Sequence, residues 1–217
     1  MMVGVVAPWL PAAVPAVLFV LSVMTAPPDW VKPRGSARRV WVLTHLSALV
    51  VGVLVGVGVQ WHPWYEQDMV ARVGAGVVSY VFVQGSQTDL LFRKASEVHM
   101  MFGWSLFMIA AAVGGDSKVI SGSVAVLFLA ALTRRWWAGD ATALCVALSC
   151  VLPVVLAHPM AAIANYMGMG FVLVCGIITA VAKSRKRPIA VPLVPIALAP
   201  FVLVPAILPL VSLYGLQ

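Results

Sequence analysis

The chain has 217 residues, 62% of them apolar and only 10% charged, with a mean hydropathy of +1.02. A soluble domain of this size has no core large enough to hide that much hydrocarbon surface, which argues against soluble enzymes and soluble binding modules. The net charge of +7 does not point to nucleic acid, because the basic residues lie in short clusters between apolar runs, as in the cytoplasmic loops of a membrane protein.

The expected fold class is all-α. A polytopic membrane helix bundle of about eight transmembrane helices is expected, each judged against the ~20 apolar residues needed to cross the hydrocarbon core. Residues 1–217 then form a single integral membrane domain, with N-terminal helices over 1–78. The first ten residues carry no Lys or Arg, so the charged start of a cleavable signal peptide is missing and the first apolar segment reads as a retained span. That span runs from about Pro8 to Met24, with Pro11 and Pro15 expected to bend it.

Lys32, Arg34, Arg38 and Arg39 mark the next loop as cytoplasmic. The second span, about Val40 to Gln60, is rich in Gly and Val, and its small residues would let neighbouring helices approach closely. His45 lies inside it, where a histidine either carries a proton or finds a partner in the bundle, the second being the commoner case. The loop from Trp61 to Asp68 is aromatic and acidic, as expected of an outer interface.

The third span, about Met69 to Val83, returns the chain to the cytoplasmic side and delivers Asp89, Arg93 and Lys94 there. Arg72, near its start, is expected to snorkel outward. The fourth, about Val98 to Val113, and the fifth, about Val119 to Thr133, are both short; they read equally as two spans or as a re-entrant hairpin. Gly114, Gly115 and Asp116 between them read as a turn and helix cap. Spans six to eight are expected at about Ala141 to Ala157, Ala161 to Ala182 and Ile189 to Leu213, the last punctuated by five prolines.

Of the fourteen Lys and Arg residues, all but Arg72 and Lys118 fall in the loops assigned to the cytoplasm, so the orientation rests on several clusters at once. Cys145, Cys150 and Cys175 sit in apolar segments with no CxxC spacing. They indicate neither a disulfide framework nor a zinc site, and no metal or cofactor is expected.

Two acids stand out. Asp89 and Asp140 are separated by two apolar segments, so they return to one face, and a carboxylate at a membrane edge is costly unless paired or used. Held close, two carboxylates share a proton; one serves as general base toward a water and the other as general acid. Gly139 would let the backbone at Asp140 approach a substrate strand. The plainer role for each aspartate is an N-cap.

The order Thr88-Asp89-Leu90-Leu91-Phe92-Arg93, two apolar segments, Trp137-Ala138-Gly139-Asp140 at the head of the next, and a late Val191-Pro192-Leu193-Val194-Pro195 after a basic cluster resembles the type IV prepilin peptidases, membrane aspartic proteases of the GxGD type. The likeness covers residues 79–204, a peptidase-like core. It departs at Trp137, which stands for the first glycine of the second motif, and at Thr142, which stands for its lysine. It implies Asp89 and Asp140 as catalytic, Arg93 and Gly139 as substrate-binding, no cofactor, and a prepilin-like protein substrate cut at the cytoplasmic face of the cell membrane. The competing expectation is a non-enzymatic multi-pass protein, such as a transporter subunit or assembly partner.

Overall fold

The computed structural model describes residues 9–25, 37–58, 69–92, 96–115 and 117–133, together with positions 170, 174, 177, 178, 181, 184, 185 and 195. Among the described residues the regular structure is all helical. Five helices follow in chain order: α1 (Leu10–Met24), α2 (Ala37–Gly58), α3 (Met69–Phe92), α4 (Glu97–Val113) and α5 (Ser117–Thr133). Helix α2 is long and apolar enough over Arg38–Gly58 to cross a membrane, and α1 and the Val98–Val113 part of α4 are shorter apolar helices. Of the spans expected beyond residue 140, the one at about Ala141 to Ala157 lies outside the described residues, and only isolated positions of the other two are described, all of them helical: Gly170, Val174, Ile177, Ile178 and Val181 of the seventh and Pro195 of the eighth. The loop from Trp61 to Asp68 also lies outside the described residues.

Helices α1, α2 and α3 pack on one another, α4 packs on α3 and α1, and α5 packs on α4. The apolar core is drawn from Val14 and Leu18 of α1, Ala48 of α2, Val73, Val77, Tyr80 and Val81 of α3, and Met100, Phe107 and Ala111 of α4. Small residues set the spacing. Helix α1 runs on through Pro15, whose ring nitrogen has no hydrogen to give to the Pro11 carbonyl one turn earlier. Two glycines close over that carbonyl: a Cβ added at Gly56 would lie 2.4 Å from the Pro11 oxygen, and one at Gly76 would lie 2.6 Å from it. Their Cα–H groups thus face an oxygen that helix hydrogen bonding leaves open, a weak but recurrent contact between close helices. The close approach expected of the Gly-rich second segment is realised here.

Helix α3 differs from its expected extent. It has 24 residues and continues to Phe92, nine positions past the apolar run ending at Val83. The extra turns are polar, and internal bonds carry them: Thr88 Oγ1 donates to the carbonyls of Gln84 at 3.0 Å or Gly85 at 3.1 Å. Ser47 Oγ lies 2.9 Å from Gln87 Oε1 and 2.9 Å from the Thr44 carbonyl.

Helices α4 and α5 have 17 residues each, about 25 Å at 1.5 Å per residue. They meet at a tight turn. Gly114 N–H donates to the Ala110 carbonyl at 2.9 Å, Gly115 takes a φ of 72°, and Ser117 N–H donates to the Gly115 carbonyl at 3.1 Å. A positive φ is cheap only for glycine, so the expected turn forms at Gly115; Asp116 itself lies outside the described residues. Trp104 Nε1–H donates to Ser123 Oγ at 2.7 Å and ties the two helices together.

Candidate functional site

Asp89 sits in the last turn of α3 and is buried, with 8% of its surface exposed. It is therefore no N-cap: it lies inside a helix, close to the end where backbone carbonyls favour cations over anions. Ser86, three residues earlier and so on the same side of the helix, is also buried, and its Oγ has no hydrogen-bond partner. At about 100° per residue, Asp89 stands about 180° around α3 from Tyr80. Ala75, Val78, Ser86 and Asp89, all buried, share this face, spread over about 80° of arc.

The opposite face of α3 joins a second polar group that hydropathy alone did not reveal. Tyr80 Oη lies 2.9 Å from His45 Nδ1 of α2. The His45 ring packs at 4.8 Å from the ring of His99 on α4, and Trp41 meets both edge-on, at 4.6 Å and 5.0 Å. His99 Nε2 lies 3.2 Å from Thr25 Oγ1 and 3.4 Å from the Ser22 carbonyl. Thr25 already donates its hydroxyl hydrogen to that carbonyl at 2.8 Å, so it accepts from His99. That places the ring proton on Nε2 and leaves Nδ1 to accept from the Ser96 hydroxyl. Ser96 occupies the N-cap position of α4 and makes no side-chain cap bond there, its hydroxyl being turned to His99.

Four helices thus converge on His45, Tyr80 and His99, each 3% exposed or less. His45 does find a partner in the bundle, although its Nε2 has none, and the same holds for Ser22 Oγ and Gln84 Nε2. No charged side chain belongs to this cluster, so it offers hydroxyls, imidazoles and an amide but no general acid/base pair of the carboxylate kind. Tyr80 and His99 were missed because each looks unremarkable in sequence. The available signal was spacing: Tyr80, Gln84 and Gln87 fall on one side of a helix at i, i+4 and i+7.

The other expected site residues divide plainly. Arg93, Gly139 and Asp140 lie outside the described residues. Arg72, in the first turn of α3, is half-buried, while Arg38, Arg39 and Lys118 are exposed. Among the described residues, no group of three or more His, Cys, Asp or Glu is placed to hold a metal ion. No protein-family model, curated protein or solved structure matches this chain.

Proposed function

We propose that the chain is a polytopic membrane aspartic endopeptidase of about eight crossings, cutting the basic leader from type IV prepilin-like proteins at the cytoplasmic face of the cell membrane. The observation that carries this reading is Asp89 itself, an acid kept out of water in the last turn of a 24-residue helix in a chain that has only seven acidic residues. A carboxylate at such a place is costly unless paired or used, which makes it a functional candidate by default.

In this mechanism Asp89 and Asp140 share one proton. The ionised member takes a proton from the water that attacks the scissile carbonyl; the protonated member supports the developing oxyanion and then helps the amine leave. Arg93, directly after the helix, holds an acidic part of the substrate or lipid headgroups, and Gly139 gives the substrate strand room beside Asp140.

The test is co-expression with a prepilin-like protein. Asp89→Asn keeps the size of the side chain and removes its acid/base function, so cleavage should vanish while membrane-inserted protein persists. Asp140→Asn should do the same, and the double variant should be no worse than either single, because residues acting as one unit are non-additive. Asp116→Asn should cleave normally. Unchanged cleavage per molecule in Asp89→Asn ends the peptidase reading.

A second reading draws on a specific observation: the buried cluster of His45, Tyr80, Gln84 and His99 places polar groups inside the bundle, as a transporter of polar solutes would require. On that reading Asp89→Asn and Asp140→Asn behave as independent structural changes, lowering protein level additively.

A further inference from the structure

We propose that Tyr80 and His45 are positioning residues whose hydrogen bond sets the rotation of α3 about its axis, and so decides which way Asp89 points. The inference rests on the reading of Asp89 as one half of an acid pair. Its starting point is the division of α3 into two polar faces: Tyr80 and Gln87 reach α2 on one side, through His45 and Ser47, while Asp89 lies about 180° away from Tyr80.

Backbone contact of Gly76 with the Pro11 carbonyl restricts the rotation of α3 in its N-terminal half; the half that carries Asp89 meets α2 through directional polar contacts. Among the valines between residues 73 and 83 only Val77 and Val78 are adjacent, so a turn of one residue exchanges valine for valine at a single position. Between helices in lipid there is no hydrophobic force to choose one face over another. Directional bonds do choose. The Tyr80 Oη to His45 Nδ1 contact of 2.9 Å is lost on rotation by one residue, about 100°, and so is the Ser47–Gln87 contact of 2.9 Å. The partner on α2 is itself held. The His45 ring is flanked by Trp41 at 4.6 Å and His99 at 4.8 Å, and His99 is in turn held by Ser96 and Thr25. Helices α1, α2 and α4 together form the fixed frame against which α3 is registered. With Tyr80 turned into that frame, Asp89 is held on the opposite side of α3.

The experiment uses the full chain in its native membrane, with Cys145, Cys150 and Cys175 changed to Ala, and reads rotation by oxidative cross-linking. A Cβ at Gly103 would lie 2.7 Å from Val81 Cγ2, so Val81→Cys with Gly103→Cys should cross-link, and Phe82→Cys with Gly103→Cys, combined with Val81→Ala to remove that collision, should not. Adding Tyr80→Phe, which removes only the hydroxyl, should weaken the first cross-link and raise the second. In the uncross-linked chain Tyr80→Phe should lower kcat for leader cleavage by about 100-fold, the scale of a ~1 Å misplacement of a catalytic group, with KM within about twofold. His45→Asn, whose amide stands where Nδ1 stood, should restore what His45→Leu loses. The cross-link is read without substrate, so failure of the wild-type chain to cleave would count against the peptidase reading alone. An unchanged cross-link pattern in Tyr80→Phe, or equal behaviour of His45→Asn and His45→Leu, would overturn the positioning role.

Discussion

Helices α1 to α3 and the α4–α5 hairpin associate by different physical means. In the first group glycine brings backbones together: Gly52 meets Pro15, and Gly56 and Gly76 meet the Pro11 carbonyl, at distances where any Cβ would collide. Buried polar pairs then fix how those close helices are turned, through His45–Tyr80 and Ser47–Gln87. Among the described residues the hairpin is held by its turn at Gly115 and by the side-chain bond from Trp104 to Ser123, and it leaves apolar surface open at Ile109, Val113, Val124 and Phe128. The difference teaches where each region is brittle. Backbone contact tolerates no added atom, whereas side-chain contact gives way gradually.

The largest expected effect is therefore at the glycines of the first group. Gly56→Ala places a methyl carbon against backbone atoms of Pro11 and Ala12, which cannot move without parting α1 from α2; the cost should be about 3 kcal/mol, at the top of the usual overpacking range. Thermal unfolding in detergent should show it, and a variant as stable as wild type would mean the helices are not so close. Next comes His45→Leu. It leaves the Tyr80 hydroxyl buried with no partner on α2, a loss of about 2 kcal/mol, to be compared in the same assay with Tyr80→Phe in the His45→Leu background, which should recover part of it. The smallest belongs to the hairpin: Trp104→Phe removes the bond to Ser123 and should cost about 1 kcal/mol, read as increased protease sensitivity of α5 with α1–α3 unaffected. Equal losses at Gly56 and Trp104 would erase the contrast between the two regions.

Hydropathy was a good guide where a helix is apolar throughout. The segments expected at residues 8–24, 40–60, 98–113 and 119–133 correspond to α1, α2, α4 and α5 within a few positions. It failed at the end of α3 because Gln84, Ser86, Gln87, Thr88 and Asp89 interrupt the apolar run. Their polar groups look like loop chemistry until the Ser47–Gln87 contact and the Thr88 bonds to the preceding turn are seen. Asp89 was picked out by its charge and its place in the chain, yet was expected after the helix and not within it.

Composition and periodicity by themselves determined that this chain builds helices, roughly where they begin, and that small residues line the second of them. Those properties are local, set by how many apolar side chains follow one another and by which residues can turn the backbone. Rotation and partnership were decided only in three dimensions. That Tyr80 meets His45, that His99 closes on Thr25 and Ser96, and that Asp89 lies on the far side of the same helix all depend on the angle at which one helix faces another. A linear pattern leaves that angle open, and close contacts at glycine together with directional hydrogen bonds between buried groups select it.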